Sequence, residues 1–286
     1  MSPDAPGHAD RYAVIGHPVA HSLSPAIHAM FAEQTGQQLV YGKLPAPRDG
    51  FASTASEFFA SGGSGLNVTL PFKQEAAAWV DVLDKAAGDA KAVNTISCDP
   101  GGTRGYNTDG LGLVRDLTEN HGIPIAGARV LIVGAGGATQ GVLRPLLALG
   151  PGSLTVANRT VSKAEALVDS LSHASRGVSV EVCAPEAAAG PYDLVVNATS
   201  AGLEGVGRVV SGDAVAGAVC YDMVYATGPG AVTAFCDWAL SAGSPLAVDG
   251  LGMLVEQAAE AFLIWRGVRP ETAPVIDALR RGAPPV

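Results

Sequence analysis

The stretch GLNVTLPFK, residues 65–73, begins like a buried strand and stops being one halfway. Strand side chains alternate between faces, so Asn67 and Thr69 share a face while Val68 and Leu70 take the other. Pro71 ends the ladder, which puts Lys73 in the first turn of whatever helix follows. The partial positive charge of a helix start mildly disfavours a cation there. A lysine kept in that place beside two hydrogen-bonding side chains asks for a reason that local structure does not give. A positioned ammonium stabilises negative charge growing on oxygen and can supply the proton that neutralises it. Taken alone, Lys73 also fits an ordinary solvated surface lysine.

Other residues invite the same double reading. Asp109, in YNTDGLG, reads on its own as a helix-start acid that favours the dipole. Asn94, in AVNT, is either a group that satisfies strand backbone or a ligand contact. Gln257 has Met253, Leu254 and Ala261 three or four residues away, so it lies on an apolar helix face and must find a polar partner. In HPVAHSLSP, Ser24 is explained as a helix N-cap with Pro25 at the first helical position. Ser22 has no such explanation. Two hydroxyls beside a helix N-terminus make a small anion site, enough for one carboxylate. His21 reads as a packing or surface histidine.

A second constellation begins at RVLIVGAGGAT. An apolar strand runs into a glycine cluster that opens a helix, as in a dinucleotide-binding βαβ unit. Gly134 and Gly136 fit the first two positions of G-x-G-x-x-G, Thr139 holds the third, and Gly137 is extra. Glycine lets the backbone approach a pyrophosphate, which the helix start then stabilises; a tight turn without a ligand is the plainer alternative. After the next strand comes ANRTVSK, where NAD-binding folds keep an acid for the ribose hydroxyls. Asn158, Arg159, Thr160 and Lys163 stand there instead. Arg159 and Lys163 attract a 2′-phosphate, so the reading is NADP rather than NAD, and it argues against a methyltransferase; a solvated basic loop is the alternative.

Alternating strand and helix patterns must carry these residues, which means α/β with largely parallel pairing. Strands are expected at 11–16, 39–43, 65–70, 91–99, 102–110, 129–134, 153–160, 179–183, 193–202 and 218–225. Helices are expected at 24–36, 49–61, 110–120, after Gly137, from near Ser162, at 229–242, after Gly250 and from Glu271, with helical turns after the 65–70 strand to about 89. Residues 202–217 read as a loop, and the first ten as a disordered lead-in with no secretory character. A chain of 286 residues suits two domains. Its net charge of −9 argues against nucleic acid and an anionic membrane surface, and no apolar run is long enough to span a bilayer. Cys98, Cys183, Cys220 and Cys236 are scattered without metal-ligand spacing, so reduced thiols, no metal and a cytoplasmic setting are expected.

Taken together, the segments YAVIGHPVAHSLSP, GLNVTLPFK, AVNT, NTDG, GAGGA, NRT, NATSAG, YDMVY and DGLGMLVEQAA resemble, in this order, the shikimate dehydrogenase family over nearly the whole chain. The likeness is to its bacterial, biosynthetic, NADP-dependent form. It implies reversible NADPH-dependent reduction of 3-dehydroshikimate to shikimate, on the route to chorismate and the aromatic amino acids. It implies a Rossmann-type NADP-binding domain over 110–249 and an α/β substrate domain over 1–109, joined by the C-terminal helices of 250–286, with a cleft between the domains. By the same resemblance, Ser22 and Ser24 hold the substrate carboxylate, and Asn67, Thr69, Asn94 and Gln257 hold its hydroxyls. Lys73 and Asp109 are the catalytic pair, with Tyr225 near the substrate. Gly134, Ala135, Gly136, Gly137 and Ala138 line the pyrophosphate, and Asn158, Arg159, Thr160 and Lys163 the 2′-phosphate. Thr199, Met223 and Gly250 lie along the nicotinamide half. The loop after NATSAG lacks the proline-containing text common there. A monomer or homodimer is expected. A quinate/shikimate dehydrogenase of relaxed choice and a non-catalytic NADP sensor are the rivals; the sensor predicts loss of Lys73 or Asp109, and both are present.

Overall fold

In the computed structural model the described residues are 9–171, 177–201 and 205–282. The start of the lead-in and Gly202 lie outside them. The chain divides into two compact units. One runs to Thr108 and takes in Ala258–Val275; the other is Asp109–Gln257 with the segment from Ile276.

The first unit contains β1 (Asp10–Gly16), α1 (Ser24–Thr35), β2 (Leu39–Pro45), α2 (Phe51–Ala60), β3 (Gly63–Val68), α3 (Lys73–Trp79), β4 (Val82–Leu83), α4 (Lys85–Ala90), β5 (Thr95–Asp99) and β6 (Gly102–Tyr106). Its sheet has the order β2-β1-β3-β5-β6-β4. Both neighbours of β1 run parallel to it, whereas β5 lies antiparallel to β3 and to β6. The register sets Asn67 opposite Val14 on one side and Thr95 on the other. Ala13, Ile15, Leu66, Val68 and Ile96 pack with Phe51, Phe58 and Phe72 in one buried cluster. Each of the larger side chains contributes about 1.5–3 kcal/mol of burial.

The second unit opens with α5 (Asp109–Arg115), which continues as a π-helical turn over Asp116–Asn120. Then come β7 (Arg129–Val133), α6 (Gly137–Ala148), β8 (Ser153–Ala157), α7 (Val161–Asp169), β9 (Ser179–Cys183), β10 (Leu194–Asn197), α8 (Gly212–Val215), β11 (Val219–Asp222), α9 (Ala234–Ser241) and β12 (Leu246–Asp249). The sheet order β9-β8-β7-β10-β11-β12 is wholly parallel and matches the doubly wound 3-2-1-4-5-6 arrangement. The unbroken apolar run of β7 follows from this. Val130 and Ile132 pack on one face with Leu143 and Leu146 of α6, and Leu131 and Val133 on the other with Val215 and Phe235. A parallel strand covered on both faces has no polar alternation to show.

Helix α10 (Leu251–Arg266) begins in the second unit and ends in the first, and α11 (Ala273–Arg280) passes back. Several details differ from the sequence reading: residues 205–217 of the stretch read as a loop include the short helix α8, and the strand expected from residue 91 begins at Thr95. The helix expected from 229 begins at Ala234, because the Thr233 hydroxyl caps it by accepting the Cys236 N–H at 3.3 Å. Strand β12 was not anticipated, since its four residues begin with an exposed leucine just after Pro245 and show no alternation.

Candidate active site

In the first unit the polar residues form a continuous chain. Ser22 Oγ donates to Ser24 Oγ at 3.2 Å and accepts the Ser24 N–H at 3.2 Å. The half-buried Tyr41 ring follows: desolvation pushes its hydroxyl pKa well up, and a hydrogen bond with Ser24 opposes the shift. That hydroxyl donates to Asn67 Oδ1 at 2.6 Å. The Asn67 amide then donates to the Asn94 carbonyl at 3.2 Å and to Thr95 Oγ1 at 3.1 Å. Asn94 donates to Thr108 Oγ1 at 2.8 Å, and its Oδ1 accepts the Thr108 N–H at 2.9 Å. Both Asn67 and Asn94 are buried, so these partners offset a desolvation cost of roughly 1–3 kcal/mol per polar group.

The expected N-cap is corrected here. Helix α1 already includes Ser24, its cap position is Leu23 in a helical conformation, and no side chain caps it from there. The Ser24 hydroxyl thus comes one residue too late to close the helix start. It is Ser22 that accepts an unpaired N–H of the first turn, so the serine without a structural explanation in the sequence is the one with a structural task.

Lys73 is the first residue of α3, as the proline break implied. Its carbonyl accepts the Val93 N–H at 2.8 Å, which fixes the helix start beside Asn94. Thr69 N–H bonds the Ile15 carbonyl at 3.0 Å, and Phe72 N–H bonds the Thr69 carbonyl at 3.0 Å. A Cβ on Gly16 would stand 2.4 Å from Thr69 Cγ2, so glycine at the end of β1 is what lets Thr69 lie there. Lys43, an exposed lysine of β2, donates to the Ala20 carbonyl in the loop leading to the serines.

Behind Tyr41 lies His28, fully buried, its ring stacked on the tyrosine at 4.2 Å and 7°. Neither ring nitrogen has a hydrogen-bond partner among the described residues. Burial pushes its pKa down to about 3, which the nearby Asn67 side chain opposes only in part.

In the second unit Asp109 is buried and opens α5, where a carboxylate favours the helix dipole. Gln257 donates to the Leu254 carbonyl of its own helix at 2.8 Å. Helices α5 and α10 meet closely at Gly112, where a Cβ would lie 2.8 Å from Gln257 Cβ and 2.8 Å from the Met253 carbonyl.

The glycine turn has the features of a phosphate cradle. Gly134 adopts φ +110°, open only to glycine without strain. Thr139, in the fingerprint's third position, is buried and donates to the Gly134 carbonyl at 2.8 Å, which closes the turn. Gly136 and Gly137 are exposed, and a Cβ at either would meet nothing within 4 Å. Packing does not require glycine at these two positions; the close approach of a ligand to the backbone would. Ala138 follows in the exposed first turn of α6, which carries no acid. Asn158 accepts the Ala135 N–H at 3.1 Å and donates to the Thr160 carbonyl at 2.7 Å, so it braces the turn against the basic loop. Arg159 and Lys163 are exposed, and their side chains make no hydrogen bond or ion pair among the described residues. These residues fit an NADP phosphate end.

At the carboxyl ends of the strands, Asn197, Asp222 and Asp249 sit in register on β10, β11 and β12. Asn197 donates to Asp222 at 3.0 Å and its Oδ1 accepts the Thr199 hydroxyl at 2.7 Å. Met223 N–H bonds the Asn197 carbonyl at 2.9 Å, and Gly250 N–H bonds the Val224 carbonyl at 3.0 Å. A Cβ on Gly250 would come within 2.6 Å of the Met223 carbonyl. Thr199, Met223 and Gly250 are thereby tied into one edge. Tyr225, two residues beyond Met223, is partly buried, which pushes its pKa up. Sequence reasoning did not single out Tyr41, Thr95, Thr108 or Asn197. The alternation of LVYGKLP could have flagged Tyr41 as facing a sheet surface.

Family models match along the chain: a shikimate dehydrogenase substrate binding domain at residues 14–96, a shikimate/quinate 5-dehydrogenase domain at 116–209, and a shikimate 5′-dehydrogenase C-terminal domain at 250–280. A shikimate dehydrogenase (NADP(+)) of Alkalilimnicola ehrlichii is 55% identical over 272 residues, 95% of this chain and 98% of that one. The chain belongs to the shikimate dehydrogenase family. Among solved structures, an Ael1 enzyme from Pseudomonas putida superposes with a TM-score of 0.89 at 42% identity, covering 96% of this chain and 100% of that one. Shikimate 5-dehydrogenase from Thermus thermophilus, solved with NADP(H) and shikimate, gives a TM-score of 0.81 at 34% identity, covering 96% and 99%. No helix of the described residues is long and apolar enough to cross a membrane.

Proposed function

We propose that this chain is an NADP-dependent oxidoreductase that interconverts 3-dehydroshikimate and shikimate, with Lys73 and Asp109 managing the proton. The observation that carries the substrate reading is the hydrogen-bonded run of hydroxyls and amides from Ser22 to Thr108, partly buried at Ser22 and Tyr41 and buried from Asn67 on. Such a run suits a small molecule bearing one carboxylate and several hydroxyls. Within the protein Ser22 donates to Ser24. A carboxylate arriving at the start of α1 would turn both serine hydroxyls towards itself, and a hydrogen bond to a charged group contributes about 1.5–3 kcal/mol. Asn67 and Asn94 are held by their protein partners and need little reordering to meet the ring hydroxyls.

When bound, the nicotinamide group of NADP supplies the hydride for the ketone. The protein aligns the ketone and handles its proton. The Lys73 ammonium, at the positive end of α3, stabilises charge on the reacting oxygen and delivers a proton as the alkoxide forms. Asp109 is the carboxylate through which that proton is exchanged. Arg159 and Lys163 would take the 2′-phosphate, while Gly134 to Ala138 take the pyrophosphate. The enzyme would work in the cytoplasm, as a monomer or homodimer.

The test is initial-rate measurement, by NADPH or NADH absorbance, of the purified chain with shikimate or quinate, each with NADP or NAD. Shikimate with NADP should give the highest kcat/KM. A higher value for quinate, or for NAD, would overturn the substrate or the cofactor reading respectively.

A further inference from the structure

Asp116 has no place in the reading above, yet it is among the most deeply buried charged residues of the second unit. Helix α5 widens into its π-helical turn at this residue, and the His121 N–H bonds the Asp116 carbonyl five residues back at 3.1 Å. Such turns are rare and are frequent at functional sites. The carboxylate accepts the Tyr221 hydroxyl at 2.6 Å and the Asn120 amide at 2.9 Å, and His121 Nε2 lies 3.5 Å away. The same Asn120 amide donates to Glu256 of α10 at 3.2 Å. A Cβ on Gly252 would stand 1.9 Å from Asp116 Oδ1, so the start of α10 rests directly on the carboxylate.

Three segments therefore converge on one group. Helix α5 carries Asp109 two turns before Asp116. Strand β11 carries Tyr221 two residues before Met223. Helix α10 carries Gly252 five residues before Gln257. Gly112 and Gly252, facing α10 and α5 respectively, bring the two helices close enough for the clamp to act on both. A carboxylate buried with this many partners is costly to displace, because any shift leaves a charge without its hydrogen bonds.

We infer that Asp116, clamped by Tyr221, is a positioning residue that sets the separation of α5 and α10 and with it the placement of Asp109 and Gln257. The inference rests on reading those two as site residues. Asp116 touches no reacting atom; it acts through the helices it holds. Misplacement of catalytic groups by about 1 Å can cost on the order of 10²-fold in rate.

The experiment compares Tyr221→Phe, which keeps the ring and removes the clamping hydroxyl, with Asn120→Ala, an exposed-side substitution that loosens the same carboxylate. Leu154→Ala, in the sheet core away from the clamp, is the stability control. Each is measured for melting temperature, for kcat/KM with shikimate, and for NADP affinity by direct titration. Tyr221→Phe should lower kcat/KM with shikimate by about 10- to 100-fold. Asn120→Ala should lower it in the same direction by less. NADP affinity should change under about twofold in both, because the glycine turn and Arg159 are untouched. Leu154→Ala should lose melting temperature without that kinetic loss. Equal kinetic losses in the control and the clamp variants would overturn the inference, as would a Tyr221→Phe enzyme that only melts earlier. Should Tyr221→Phe fail to fold, normal kinetics in Asn120→Ala would overturn it as well. Asp109→Ala and Gln257→Ala separate the two readings. If both are kinetically normal, the site reading fails and this inference with it; if both are impaired while the clamp variants are normal, only the inference falls.

Discussion

The residues assigned to the substrate and those assigned to the cofactor phosphate are built on opposite plans. Asn67, Asn94, Thr95 and Thr108 are buried and bonded to one another within the protein itself. Around the glycine turn, Gly136, Gly137, Arg159 and Lys163 are exposed, and the two cations have no side-chain partner among the described residues. The difference teaches which part of recognition the fold supplies in advance. Neutral hydroxyls must be read by geometry, so their contacts are ordered beforehand. A phosphate is read by charge, and exposed arginine and lysine can close on it when it comes. One feature is common to both: a lysine in the first turn of a helix, Lys73 on α3 and Lys163 on α7. A cation at the positive end of a dipole is mildly disfavoured, and negative charge on a bound group would relieve that.

Breaking the ordered side should do the most damage. Asp109→Ala should lower kcat by about 10² or more, the scale of lost acid-base assistance, with the KM for shikimate much less changed. A folded variant of near-normal kcat would remove Asp109 from the chemistry. On the open side, Arg159→Ala should raise the KM for NADP about tenfold or more, since a charge-assisted contact is worth about 1.5–3 kcal/mol. Kinetics with NAD should barely move. Equal losses for both cofactors would mean that Arg159 shapes the loop instead.

The serines sharpen the contrast, because they belong to both plans. Ser22→Ala and Ser24→Ala should each raise the KM for shikimate about tenfold and shrink the preference for shikimate over its methyl ester, which lacks the charge. They should part in stability. Ser22→Ala should cost about 1 kcal/mol, the usual loss for a capping side chain, and Ser24→Ala less. Denaturant titration of the two proteins would decide it, and the opposite order would return the cap to Ser24.

His28 is the misfit within the ordered region. It titrates ordinarily at 6.5 and, buried, at about 3, so protons favour the unfolded chain over that interval. Its contribution is complete above pH 6.5 and is lost as pH falls towards 3. The slope is at most about 1.4 kcal/mol per pH unit. Unfolding free energies of the wild type and His28→Phe at pH 7 and pH 5 should show a smaller acid loss in the variant. Parallel losses would assign the acid sensitivity to other groups.

Much of this was legible in the sequence wherever a local rule was enough. The break at Pro71 placed Lys73 at a helix start, the apolar run RVLIV announced the first strand of a βαβ unit, and the glycines after it announced a tight turn into a helix. What escaped depended on partners far along the chain. Tyr41 matters because β2 lies beside β1 and sets it within reach of Asn67, 26 residues away. Which serine caps α1 turned on a one-residue difference in where the helix begins, below the resolution of composition and spacing. The bracing role of Asn158 required the turn at Ala135 to be brought to it by the pairing of β7 with β8.

The central claim is that Lys73 occupies a place unfavourable to a cation because the chemistry needs one there. Its most direct test is the single-turnover rate of Lys73→Met, a side chain of similar length without charge, at saturating shikimate and NADP. The account predicts a rate lower by about 10² or more in a variant that remains folded. A rate near that of the wild type in a well-folded variant would contradict it.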